Sequence, residues 1–323
     1  MTIADYQKLF LNYLETNKAK ESPKNLYAPI DYIMHLGGKR IRPTLALIAS
    51  DLFGDNHNKA LDVALALEVF HNFTLMHDDI MDESPIRRGK TTVHKKWDTN
   101  TAILSGDVML INSYQYLEKY DGILYKKLMQ LFSKTAQEVC EGQQYDVDFE
   151  TQNNVQIEDY IEMIRLKTAV LLATSLKMGA LVGNAIKKDA NTLYNFGINL
   201  GLAFQLQDDL LDALGNPETF GKRIGGDIIA NKKTYLHLLT LEKANDTDKN
   251  TLVNLYNTKS DDEAEKIKIV TDLYKKYGID TAVQDLINAY SKKALANLDK
   301  IATNSPSKIL LAKYVAKLKS RTI

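Results

Sequence analysis

After Pro43 only three prolines occur in this chain, at positions 85, 217 and 306. A proline inside a helix removes a hydrogen bond and costs about 3 kcal/mol, so long proline-free intervals leave room for long helices. The segment Asp62–His77, DVALALEVFHNFTLMH, uses that room: its apolar residues keep helical spacing with no sustained two-residue alternation. Thr192–Leu211, Thr234–Glu242, Glu263–Tyr277 and Ala282–Asp299 read the same way. Ser22–Ala28, Asp82–Thr92 and Asn216–Asn231 concentrate proline, glycine, charge or small polar residues and are expected to be loops or helix breaks. No proline-rich or low-complexity linker divides the sequence. The expectation is one all-α domain over residues 1–323, with roughly ten or more helices packed around a shared core.

A hydrophobic fraction of 45% is ample for such a core. Basic and acidic residues number 41 each, so no global charge draws in a nucleic acid, and any anionic ligand must be gathered locally. No nucleic-acid reader motif accompanies the basic groups. The single cysteine, Cys140, cannot pair within the chain, which fits a reducing compartment. The N-terminal stretch lacks the basic-then-apolar order of a secretion signal. The apolar stretch Ala169–Gly183 carries Lys177 and is too short to cross a bilayer. A cytoplasmic protein with no stable membrane insertion is expected.

Two copies of one acidic pattern stand out, DDIMD at 78–82 and DDLLD at 208–212. On a helix Asp78 and Asp82 lie about 40° apart on one face, with Asp79 about 100° around from Asp78. Asp208, Asp209 and Asp212 repeat the geometry. Each cluster follows an apolar helical segment that belongs in an interior. Carboxylates sharing a face near a helix C-terminus repel one another, an arrangement that is costly without a cation. Oxygen-only donors suit a hard ion such as Mg²⁺, which commonly bridges carboxylates and phosphates. The cysteine–histidine grouping of structural zinc and the twelve-residue EF-hand loop are both missing. An acidic helix end that simply meets solvent is the bland alternative for either motif alone.

Basic residues accompany both clusters. Arg87 and Arg88 follow the first, and arginine's planar fork can grip phosphate oxygens bidentately. GGKRIRP supplies Lys39, Arg40 and Arg42; RLKTA supplies Lys167 and Thr168; FGKRIGGD supplies Lys222 and Arg223, with Lys232 and Lys233 beyond. FGKRIGGD is not a P-loop. Two kinds of anion site follow from these signs. One diphosphate can be bridged by magnesium to both aspartate clusters, near Arg87, Lys167 and Lys222. A second can be held by arginine and lysine without metal. His71 lies seven residues before Asp78, on nearly the same helical face, which suits either a hydrogen bond to the second diphosphate or a buried structural role.

Taken together, GGKRIRP, HNFTLMHDDIMDESPIRRG, the KTA at 167–169, FQLQDDLLD and GKRIGGD resemble the trans-isoprenyl diphosphate synthase family, in the same order and over almost the whole chain. The resemblance implies an α-helical bundle around a deep cavity, a homodimer, three magnesium ions, and isopentenyl and allylic diphosphates as substrates. By the same resemblance Asp78 and Asp82 are the first metal-binding pair, supported by Asp79. Asp208 is the main ligand of the second patch, assisted by Asp209 and Asp212. Arg87, Lys167, Lys222 and Lys232 are implied contacts of the allylic diphosphate. Lys39, Arg42, His71 and Arg88 match the homoallylic site. Gln205 and Thr168 are implied neighbours of the reacting prenyl groups.

Product length has its own candidates. Thr74 is one turn before Asp78, and Leu67 is about 16 Å further up the same side by helical rise. The ring of Phe73 suits either a tunnel floor or ordinary core packing. In the resembling family an aromatic five residues before the first aspartate restricts the cavity to short products, and Phe73–Thr74 looks closest to an archaeal-style geranylgeranyl arrangement. C20 is the favoured product, with C15 or a longer chain as alternatives. A cyclase or head-to-head synthase fits less well, because DDLLD is intact and a second diphosphate grip is present. A noncatalytic synthase-like subunit would have lost one of these features, and neither loss is seen.

Overall fold

The computed structural model describes residues 1–17, 20–54, 56–152, 154–215, 224–258 and 262–319. It is helical almost throughout, and the strands among the described residues are Ile86–Arg87 and Lys90–Thr91. Two compact units form: Met1–Ser133 with Thr174–Leu193 and Thr303–Leu311, and Lys134–Ala173 with Tyr194–Ala302 and Ala312–Ile323.

In the first unit, α1 (Ile3–Thr16), α2 (Lys24–Met34), α3 (Ile41–Asp51), the short α5 (Val93–Lys96) and α6 (Thr99–Leu117) gather about α4 (Leu61–Met81). Helix α4 is buried nearly all round, as expected of a helix at the centre of a bundle. Leu65, Leu67 and Phe70 are at most 1% exposed, each contributing about 1.5–3 kcal/mol relative to leaving it in water. The same helix buries Glu68, which receives Arg40 Nη1 at 2.5 Å. Arg40 is thereby a structural residue, since breaking a buried pair costs about 3–5 kcal/mol.

All three expected loops carry some regular structure; in Asn216–Asn231, of which 216–223 lie outside the described residues, it is the short helix Gly226–Ile229. Helix α2 begins inside the Ser22–Ala28 segment, after Pro23 in extended conformation, and runs through Pro29. Burial of Pro29, Ile30, Ile33 and Met34 outweighs the hydrogen bond that Pro29 cannot make. Within Asp82–Thr92 the chain makes a small antiparallel hairpin, Ile86 opposite Thr91 and Arg87 opposite Lys90. Its two tip residues, Arg88 and Gly89, both have positive φ, the sign pattern of a type I′ turn. The helix expected from Ala282 begins earlier, at Ile279.

The second unit takes most of α7 (Gly122–Thr151), α8 (Ile157–Ile164) and most of α10 (Lys187–Leu214). Helices 226–229, 235–243, 246–257, 263–276 and 279–299, with the end of 306–319, also belong to it. Its core joins Leu206 and Leu210 to Leu236, Val270, Val283 and Ile287. Between α8 and α9 (Val170–Val182), residues Arg165–Ala169 form a π-helical turn.

Candidate active site

In the first unit, α4 delivers one set of groups and the hairpin another. Asp78 is half-buried near the end of α4, and Asp82 caps that helix in the open. Asp79, one residue on from Asp78, turns inward and is 2% exposed. Arg87 grips it through Nε at 2.8 and 2.9 Å and through Nη2 at 2.8 Å. Burial raises the Asp79 carboxyl above its ordinary value even though Arg87 pulls it down. Arg87 therefore anchors the hairpin to the aspartate helix.

One turn and more upstream, Arg42 Nη1 lies 3.0 Å from His71 Nε2. Arg88 reaches back from the hairpin tip to Gly37 O. Burial holds His71 well below the usual imidazole range, and Arg42, Arg88, Arg87 and Arg40 add to the effect. A neutral imidazole can accept from the guanidinium. Burial also draws Arg42 down to about 10, with Glu68 opposing and Arg88 reinforcing the shift. Four arginines thus share one neighbourhood with two carboxylates, Glu68 acting on Arg40, Arg42 and Arg88 and Asp79 on Arg87 and Arg88, an excess of positive charge suited to a multiply charged anion. Lys39 is exposed on the same loop, and its carbonyl accepts from Gln7 Nε2 at 2.8 Å.

The candidate length residues share α4. Leu67 is fully buried, and the Thr74 hydroxyl donates to His71 O at 2.9 Å. Phe73 is 8% exposed and stands in a run of rings, 5.6 Å from Phe70 and 4.8 Å from His77. Phe70 in turn meets Phe132 at 5.2 Å, edge on.

In the second unit the π turn sets the geometry. It carries Lys167 and Thr168 between two glycines: a Cβ on Gly142 of α7 would lie 2.3 Å from the Lys167 amide nitrogen, and one on Gly201 of α10 would lie 2.5 Å from Ala169 Cα. Only glycine admits a backbone that close. From this turn the Lys167 ammonium reaches Asp146 Oδ2 at 2.5 Å, and Lys232 approaches the same oxygen at 3.8 Å. Burial on its own would raise Asp146, but Lys167 and Lys232 together hold its carboxyl below the ordinary value. Thr168 donates to Gln205 Oε1 at 3.1 Å, and Gln205 Nε2 donates to Asp209 at 2.9 Å.

Asp209 faces inward, where Tyr160 also donates to it at 2.5 Å. Burial and the Asp227 charge push it up to about 8. Asp208 is half-buried beside it. Asp212 accepts from the Asp227 amide at 2.9 Å, pinning the segment that leads to Lys232. Asp146, Tyr160, Lys167, Gln205, Asp209 and Lys232 are among the walls of a pocket of about 100 Å³. Lys222 lies outside the described residues. Sequence reasoning passed over Asp146, Tyr160 and the two glycines; the signal available was EGQQYD, an acid one turn after a glycine on a long helix.

Among the described residues no three His, Cys, Asp or Glu side chains converge to hold a metal alone. Asp78 and Asp82, one turn apart, fit an ion that keeps part of its shell for water and phosphate, the habit of Mg²⁺. No described helix is long and apolar enough to cross a membrane.

Residues 23–273 match the polyprenyl synthetase family. This chain belongs to the polyprenyl synthetase family. As a synthase of that family it is a prenyltransferase, and its relatives agree. A geranylgeranyl diphosphate synthase of Saccharolobus solfataricus is 35% identical over 95% of this chain and 93% of its own length. A crystal structure of a geranylgeranyl pyrophosphate synthase superposes with a TM-score of 0.95 at 44% identity, covering 100% of both chains. The geranylgeranyl pyrophosphate synthetase from Pyrococcus horikoshii Ot3 gives 0.93 at 32% identity, covering 99% of this chain and 97% of its own. The synthase shares its almost wholly helical fold with those structures.

Proposed function

We propose that this synthase condenses isopentenyl diphosphate head to tail with allylic diphosphates and releases the C20 product, geranylgeranyl diphosphate. The observation that carries the reading is the cluster of Arg42, Arg88 and neutral His71, an anion site that calls for no metal. It shares a unit with Asp78 and Asp82, whose donor chemistry calls for one. A chain-elongating enzyme needs both kinds of grip, because its acceptor keeps its diphosphate while its allylic substrate loses one.

Magnesium, three ions of it, would be held by Asp78, Asp82 and Asp208, and would neutralise the leaving diphosphate. Lys167 and Lys232 supply further positive charge to the same group, with Lys222 and Arg87 as additional contacts. The allylic carbon–oxygen bond then breaks with both electrons leaving on diphosphate. The double bond of isopentenyl diphosphate, held by Lys39, Arg42, His71 and Arg88, attacks the allylic cation and forms the new carbon–carbon bond. Diphosphate takes the proton whose loss restores an alkene. Thr168 and Gln205 present oxygen atoms to the developing positive charge. Asp79, Asp209 and Asp212 support the aspartates beside them, through Arg87, Tyr160 and the Asp227 amide. Phe73, with Thr74 and Leu67, limits the product, its ring backed by Phe70 and Phe132.

The protein works as a homodimer in this reading, with the whole chain as one catalytic domain. Ile103, Leu104 and Ile111 are 41%, 58% and 55% exposed on α6, an apolar surface suited to a second copy. The deciding experiment supplies isopentenyl diphosphate with C5, C10 or C15 primers, with and without Mg²⁺. Magnesium-dependent conversion of the C15 primer to C20, followed by arrest, is expected. Ready use of C5 and C10 with little use of C15 would make it a C15 synthase instead.

A further inference from the structure

Lys266 lies in the helix Glu263–Lys276, on the side that buries Val270, Leu273 and Tyr274, and is itself only 3% exposed. Its ammonium donates to Asn231 Oδ1 and sits 5.2 Å from the centre of the Tyr256 ring. Burying an ammonium is costly, and an apolar side chain of similar volume would pack beside Val270 at lower cost. The gain from lysine here is directional: it is spent on one side-chain oxygen of one residue.

That residue has an unusual backbone. Asn231 has φ 57°, in the left-handed region that most side chains avoid. Two committed lysines follow it. The Lys232 amide donates to Asp227 O at 2.9 Å, and its ammonium is 3.8 Å from Asp146. Lys233 donates to Phe149 O at 2.9 Å, to Glu150 O at 3.4 Å and to Gln152 O, satisfying carbonyls at the end of α7. Three successive residues are thus tied in three directions, and the middle one enters the pocket beside Lys167.

We propose that Lys266 is a positioning residue, which holds Asn231 in its left-handed turn and so aims Lys232 at the allylic diphosphate. The proposal rests on the reading of Lys232 as a diphosphate contact. Lys266 touches no substrate. It acts by fixing where the Lys232 side chain starts, so that the ammonium meets the diphosphate without first ordering a loose turn.

The test compares Lys266→Met, Lys232→Ala and the double variant in steady-state kinetics, with amide exchange followed at Lys232. Lys232→Ala should raise KM for the allylic diphosphate about tenfold. Lys266→Met should raise the same KM about fivefold, leaving kcat and KM for isopentenyl diphosphate within about twofold. In the Lys232→Ala background, Lys266→Met should add less than about twofold, because both changes remove one contact. Asn231→Gly keeps the positive φ but offers no acceptor; it should reproduce the KM rise with faster exchange at Lys232, and it carries the test if Lys266→Met does not fold. Multiplicative effects, or equal losses in kcat and both KM values, would overturn the proposal by making Lys266 a stability residue. A clear Lys232→Ala effect with none from Lys266→Met and Asn231→Gly would overturn the proposal alone. No Lys232→Ala effect on the allylic KM would remove the reading of Lys232 and the proposal together.

Discussion

His71 Nε2 lies 3.0 Å from Arg42 Nη1, and the pair joins the two helices α3 and α4 beside Arg88. A buried imidazolium there would face the charges of Arg42, Arg88, Arg87 and Arg40, so the ring stays neutral and accepts. His71→Ala should raise KM for isopentenyl diphosphate about 10–100-fold, with KM for the allylic substrate little changed. Because burial and the arginines depress its pKa, KM for isopentenyl diphosphate should follow the same course from pH 8 to 6 in the parent and in His71→Gln, set by the substrate's own terminal phosphate. A break near 6.5 that His71→Gln abolishes would mean the ring titrates normally.

Asp78→Ala should lower turnover at saturating substrate and Mg²⁺ by at least about 100-fold. Asp78 is half-buried near a helix end, so far-UV circular dichroism and the melting temperature should stay close to the parent values. Near-normal turnover would remove Asp78 from the essential set.

Phe73→Ala should lengthen the products, read by chromatography after removal of the diphosphate. The ring is 8% exposed and packed between Phe70 and His77, so the change should also cost about 3–5 kcal/mol of stability. An unchanged product distribution from an active variant would assign the stop to another surface.

Gly142→Ala should damage the site from outside it. The added methyl would collide with the Lys167 amide, forcing the π turn away from α7 and separating Lys167 from Asp146. A fall in kcat of about tenfold or more, with a loss of about 1–3 kcal/mol in stability, is expected. A variant with parent kinetics would show that the turn has room to move.

His237 is 2% exposed, stacked 3.9 Å from Tyr256, and its Nδ1 has no partner among the described residues. Burial, with Lys233 and Lys266 adding, brings it down to about 3. The folded state therefore refuses a proton that the unfolded chain takes up near 6.5. Its contribution is fully present above 6.5 and is lost as pH falls toward 3, at about 1.4 kcal/mol per unit. Urea midpoints at pH 7, 6 and 5 should show that slope, and His237→Phe should flatten it by one proton's worth. Equal slopes in the two proteins would mean that His237 is hydrated in the fold.

Local sequence was enough for whatever depends on periodicity and residue type. Proline-free apolar spacing determined α4, α10 and the helices after residue 234, and paired aspartates one turn apart are the residues on which the proposed cation site rests. The arginines and lysines near them stood out by residue type, which is the basis for proposing them as diphosphate contacts, and GGKRIRP was legible as one motif. Tertiary structure decided how those charges are shared out. Arg40, Arg42 and Arg87 look alike in the sequence, yet one is sealed against Glu68, one meets His71 and one braces Asp79. Asp208 and Asp209 are neighbours in the chain, yet a 100° step per residue turns Asp209 to Tyr160 and away from its twin. The π turn at Arg165–Ala169, the glycines that admit it, and the Lys266–Asn231 bond all join residues distant in sequence. Spacing along a chain reports which face a side chain takes; which partner waits on that face is settled only when other helices pack against it.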